Sequence, residues 1–219
     1  MKLTRPLLLL ALSLPATAAL AQESISKVNG SITADKAQAY GDLESVNGSI
    51  SVADGIKAQD ISTVNGAIRL GEAAQAEDVE TVNGSIRIGR NAVIRGGLQT
   101  VNGSIFVDRG SKVAGDVETV NGGIGLVATE LGGSIETVNG NITVGVGSHV
   151  HGGIQIKKPS FNISLSAPRK PKIIIGPNAV VDGPLRFERE VVLHVHTSAR
   201  IGQVTGATAQ PFSTDTAPE

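Results

Sequence analysis

Aliphatic and polar residues alternate in short bursts along most of this chain, and the bursts recur at a fixed interval. Each burst follows a Val-Asn-Gly tripeptide. An isoleucine stands three residues after the asparagine (Ile32, Ile50, Ile68, Ile86, Ile105, Ile124, Ile142), and another aliphatic two residues later (Ala34, Val52, Leu70, Ile88, Val107, Leu126, Val144). Strict period-two alternation predicts a strand with one buried face. A third aliphatic column precedes the tripeptide: Leu43, Ile61, Val79, Leu98, Val117 and Ile135. Between it and the valine comes Ser or Thr (Ser45, Thr63, Thr81, Thr100, Thr119, Thr137). This β-branched segment predicts a second strand running into the motif.

The seven motif asparagines are Asn29, Asn47, Asn65, Asn83, Asn102, Asn121 and Asn139, with steps of 18 or 19 residues. So regular a period predicts one unit stacked on copies of itself. Asn-Gly between two strands is ordinarily a hairpin signal. A meander, however, would alternate two kinds of connection, whereas here one corner recurs once per interval. The expected fold is therefore all-β: a single-domain parallel β-helix, or β-solenoid, with coils of 18–19 residues, right-handed and three-sided. Asn and Gly both tolerate positive φ, which suits a corner. Stacked in register, the asparagines are expected to form a ladder in which each side-chain amide donates to the next. The extra residue of the longer coils falls between the second and third aliphatic columns, so the far side of the coil absorbs it. Nine or ten coils at one strand spacing each give a rod about 45 Å long.

The chain ends depart from the pattern. Residues 1–21 read as a signal peptide: Lys2 and Arg5, the apolar run Leu7 to Leu14, Pro15, then Ala19-Leu20-Ala21 before Gln22. That apolar run is shorter than the roughly 20 residues a spanning helix needs, and no later stretch is longer. The reading is an exported chain, periplasmic or at the cell surface, with no transmembrane segment. Residues 22–202 are assigned to the solenoid, with regular coils over 28–156. A basic, proline-containing insertion follows over 157–172, with room for one short strand at Phe161 to Leu165. Degenerate coils fill 173–202, and small polar residues mark 203–219 as a disordered tail.

Composition narrows the chemistry. The absence of cysteine excludes disulfide staples, thiolate metal sites and a thiol nucleophile. Aromatics are only 2% while glycines number 27, so the interior must be thin and aliphatic. The net charge of −1 hides an asymmetry: no acid occurs from Thr137 to Val181, a stretch that holds Lys157, Lys158, Arg169, Lys170 and Lys172.

The run Glu80 to Gly89, Glu-Thr-Val-Asn-Gly-Ser-Ile-Arg-Ile-Gly, resembles the repeats of a bacterial adhesin-type family of secreted β-solenoids, over about residues 22–156. The later run Ile175 to Gly183, Ile-Gly-Pro-Asn-Ala-Val-Val-Asp-Gly, is similar to the coils of bactofilins, which are polymer-forming β-helix proteins. Both resemblances imply a β-solenoid with no defined catalytic site.

Three constellations carry candidate chemistry. His149/His151 and His194/His196 form two His-x-His pairs; alternation puts both members of a pair on one face, and two pairs on nearby coils would suit Zn, Cu or Ni. Glu44, Glu80, Glu118 and Glu136 share a column with Ser62 and Gln99, and arginines such as Arg87 and Arg109 are expected to relieve their repulsion. The insertion cations Lys157, Lys158, Arg169, Lys170 and Lys172 form a candidate anion-contact loop for envelope polymers; without an aromatic platform, specific nucleic-acid binding is not expected. The simpler reading of each group is a solvated surface position. The functional expectation is a non-enzymatic structural or adhesive scaffold of the cell envelope. It needs no cofactor, and its partner is a surface protein or polysaccharide. Self-assembly through the coil ends is one alternative. A metal-binding protein or carbohydrate-active enzyme using the C-terminal coils is the other.

Overall fold

The computed structural model describes residues 22–36, 38–159 and 170–214. The leader-like segment, the Phe161 to Leu165 strand, Arg169 and the last five residues lie outside them. All regular structure among the described residues is β: 27 strands in three parallel sheets of ten, seven and ten strands. The first face carries the strands that run into the motif, from Glu23–Asn29 to Val204–Thr205. The second carries the strands that leave it, from Ile32–Ala34 to Ala209–Phe212. The third carries two-residue strands from Gln75–Ala76 to Arg200–Ile201. The β-solenoid is thus present, with about ten coils and three sides.

Register follows the sequence columns. Asn47 pairs with Asn29 and Asn65, Ile68 with Ile50 and Ile86, and Val113 with Ile94 and Leu131. The inward positions make one aliphatic core from end to end, and every motif isoleucine is at most 2% exposed. Removing such a side chain from water is worth about 1.5–3 kcal/mol.

Three details refine or correct the sequence expectation. First, the asparagine ladder is complete but lies outside the rod. Each Nδ2 donates to Oδ1 of the previous coil at 2.9–3.1 Å, from Asn47→Asn29 to Asn139→Asn121, between exposed residues. Its last free acceptor is capped by Arg189, which donates to Asn139 Oδ1 at 2.7 Å. The inner ladder belongs to Ser/Thr. Alternation fixed by the aliphatic before it turns the hydroxyl inward and the motif valine outward. Thr63, Thr81, Thr100 and Thr119 donate to the carbonyls of Gly48, Gly66, Gly84 and Gly103 at 2.9–3.0 Å.

Second, the motif glycine is needed for close approach more than for positive φ. A Cβ on Gly48, Gly66, Gly84 or Gly103 would overlap the carbonyl of the motif glycine one coil earlier. Of the motif glycines only Gly30 and Gly122 have positive φ, +113° and +157°; most left-handed residues sit at the corner between the second and third faces, where Gly55, Ala73, Asn91, Gly110, Ala128, Gly147 and Asn178 have φ between +44° and +76°.

Third, the chain stays in the solenoid beyond residue 202. Val204–Thr205 pairs with Leu185–Arg186, and Ala209–Phe212 with Leu193–His196. Phe212, only 6% exposed, anchors this last strand. The expectation of a disordered tail from 203 was wrong as far as residue 214, because backbone pairing and one aromatic outweigh a small, polar composition. The interruption is also shorter than expected at its far end, since Lys172 already begins the second-face strand Lys172–Ile175.

Candidate functional site

Among the described residues, the third face brings Glu130, His149 and His151 together as one cluster. Each of its strands but the last, Arg200–Ile201, buries one aliphatic, such as Leu131, Val150 or Val181. The residues on either side of that aliphatic point outward. One outward column therefore reads Lys112, Glu130, His149, Val180, and the other Ala114, Gly132, His151, Asp182. Neighbours in a column stand one strand spacing apart, about 4.8 Å. His149 and His151 flank Val150, and their rings lie 4.0 Å apart, centroid to centroid.

Two acids reach this pair diagonally. His149 Nε2 lies 2.7 Å from Asp182 Oδ2, and His151 Nε2 lies 3.1 Å from Glu130 Oε1. His151 Nδ1 is also 3.3 Å from Asp182 Oδ2. The four side chains are 37–53% exposed. The small side of the second column, Ala114 and Gly132, leaves a shallow depression of about 370 Å³ beside Glu130 and His151. Charge follows the geometry. The hydrogen bond to Glu130, with its negative charge, raises the His151 pKa above the ordinary imidazole value. The same bond holds Glu130 below the usual carboxylate range, and the bond from His149 does so for Asp182.

The two His-x-His pairs do not share a site. His194 and His196 belong to the second-face strand Val192–His196. His194 is 5% exposed and its Nδ1 has no hydrogen-bond partner among the described residues. Phe212 sits edge-on to both rings, at 6.5 Å and 5.1 Å, and Ser198 hydrogen-bonds His196 Nδ1 at 2.8 Å. This pair packs the last coil. The expectation that the four histidines converge fails because the coil path carries the pairs to different faces.

The glutamate column is in the expected register, with Glu118 beside Glu136, but the expected arginines do not serve it. Arg87 lies over the Phe106 ring on the second face, and Arg109 pairs with Asp108. Gln99 donates to Glu118 at 3.2 Å, and Lys157 forms an ion pair with Glu136. That pair engages one cation of the candidate anion-contact loop. Lys170 pairs with Glu190 at 2.8 Å, and the backbone N–H groups of Lys158 and Lys172 donate to Glu188 and Asn141. The local sequence lacks acids, but the fold supplies them from other coils.

Glu130 and Asp182 are functional candidates that the sequence reading missed. Aligning Ile173–Ile175 on Ile142–Val144 across the insertion would have placed Asp182 next to His151, because the aliphatic columns resume in register. Among the described residues, no helix is long and apolar enough to cross a membrane. No family model, curated protein or solved structure matches the chain.

Proposed function

We propose that this chain is a non-enzymatic, exported scaffold of the bacterial envelope that holds a surface protein or polysaccharide along the outer side of its motif corner. One observation carries the reading. Val28, Val46, Val64, Val82, Val101 and Val120 are 38–67% exposed and stack one per coil beside the asparagine ladder. A regular apolar stripe at one strand spacing, bordered by amides, has the make-up of a contact surface. Export rests on the leader-like residues 1–21. The resemblance of the repeats to secreted adhesin-type solenoids points the same way.

Self-assembly has weaker support. The first strand, Glu23–Asn29, is exposed at every position but Ile25. At the other end, Pro211 stands in the last strand, and proline, which lacks an N–H, is a residue type that protects sheet edges.

The test is binding of the purified full chain to envelope fractions. Replacing Val82, Val101 and Val120 together with Thr keeps the β-branched shape and removes the apolar face. Retention that falls at least tenfold in this variant, with an unchanged circular dichroism spectrum, supports the reading. Equal retention of parent and variant refutes it.

A further inference from the structure

We propose that Glu130, His149 and His151 form a binding site for a first-row divalent transition metal, zinc foremost, on the third face of the solenoid. The site lies apart from the valine stripe and does not depend on that reading.

Geometry comes first. Each of the three residues offers one ligand atom, and these atoms all lie within 4.8 Å of one another. With metal–ligand bonds of about 2.0–2.1 Å, adjacent donors of a tetrahedral zinc stand about 3.3 Å apart. His151 Nε2 and Glu130 Oε1 already stand at 3.1 Å. Small side-chain rotations therefore complete the set, and half-exposed side chains on a flat face are free to make them. The backbone under them is not: the aliphatics alongside, Leu131 and Val150, are fully buried, and both strands are held by parallel neighbours. Two imidazoles and one carboxylate match a known zinc donor set. The nitrogen donors favour Zn, Cu or Ni over Mg or Ca.

Asp182 is the positioning residue. Its carboxylate lies 3.3 Å from His151 Nδ1. A proton held there by Asp182 leaves the Nε2 lone pair facing the metal, the arrangement that tunes many metal-bound histidines. The ligands and their orienting acid come from three successive coils, and Asp182 lies beyond the interruption at 157–171. A bound metal would therefore clip together the two coils before the interruption, and the Asp182–His151 contact would tie the coil after it to the site.

The experiment uses the full chain, stripped with chelator and titrated with zinc chloride by calorimetry. Cobalt(II) absorption serves as a second readout of nitrogen and oxygen ligation. The expected result is one zinc per chain and a raised melting temperature at saturation. His149→Ala and His151→Ala should each weaken binding at least tenfold, and Asp182→Asn by about 10- to 100-fold. His194→Ala and His196→Ala should leave the stoichiometry unchanged, and magnesium should not compete. All three cluster substitutions are at outward positions, and circular dichroism checks the fold of each variant. Glu130→Gln, which keeps the shape, replaces any that fails. The proposal is overturned if the parent binds no zinc saturably in the micromolar range. It is equally overturned if binding survives the His149→Ala/His151→Ala double substitution.

Discussion

Gly84→Ala isolates the feature on which coil stacking depends most. Gly84 N–H donates to Asn102 O at 3.1 Å, and Gly66 N–H one coil earlier donates to Asn83 O at 3.1 Å. A methyl group on Gly84 would enter the space of the Gly66 carbonyl oxygen and carbon. To relieve that overlap the corner must lift away from the coil before it. The lift stretches the Gly66 N–H to Asn83 O bond and the Asn83–Asn65 rung, which is 2.9 Å long. Overpacking costs about 1–3 kcal/mol, and each weakened hydrogen bond adds about 1 kcal/mol. The expected loss is about 3–5 kcal/mol from the two together. Gly55→Ala is the control. Gly55 has φ +70° but open space where a Cβ would go, so the substitution carries only the left-handed backbone cost of about 1–2 kcal/mol. Urea denaturation of the full chain, followed by far-ultraviolet circular dichroism, gives both values if the denaturant slopes agree. A Gly84→Ala loss no larger than that of Gly55→Ala would refute close approach as the reason for the motif glycine.

Three further outcomes follow from the same geometry. Ala73 and Ala128 hold φ +55° and +44° at the second corner. Ala73→Gly should relieve about 1–2 kcal/mol of backbone strain and return about 0.4–1 kcal/mol as unfolded-chain entropy. The urea midpoint should therefore rise slightly; a fall would contradict the strain. Thr81→Val deletes the donor to the Gly66 carbonyl at 3.0 Å and should cost about 1–2 kcal/mol. Asn83→Ala, on the exposed ladder, should cost less, about 0.5–1 kcal/mol, and the reverse order in denaturation would place the structural ladder outside. In chelator-treated protein, the His151 pKa lies above its ordinary 6.5, while Glu130 and Asp182 lie below their ordinary 4.5 and 3.8. The stabilisation from His151 is thus full below pH 6.5 and is lost as pH rises through its raised value. That from the acids is present above their ordinary values and is lost as pH falls through the lowered ones. NMR titration should find the His151 pKa lowered in Glu130→Gln, and an unchanged value would break the pairing.

The coils were legible because the inward columns repeat with a period the eye can count. Ile50, Ile68 and Ile86 announce both the strand and its neighbours. Which polar residue turns inward was equally decidable from alternation, since Leu43 inside forces Ser45 inside and Val46 outside. The third face was harder to read. Its strands are two residues long and bury at most one aliphatic each, too short for a periodic signal. Its chemistry depends on pairing across coils of unequal length. Glu130, His149 and Asp182 lie 19 and 33 residues apart, and only the resumed register brings them together.

The inward columns, the crowded glycines and the left-handed corners would build this rod whatever stood on its outside. Outward regularity therefore needs a cause of its own. The asparagines have one, since each amide is bonded to the next. The valines gain little: stacked β-branched neighbours contribute about 0.2–1 kcal/mol per pair, part of which is apolar contact that threonine would lose. A solvent-facing column free to take any strand-compatible residue nevertheless stays apolar over six coils. That argues for a partner outside the molecule. Val→Thr substitution separates the two causes, because lateral packing predicts a change in the unfolding midpoint with binding intact. A partner predicts the converse, with binding lost at nearly unchanged stability.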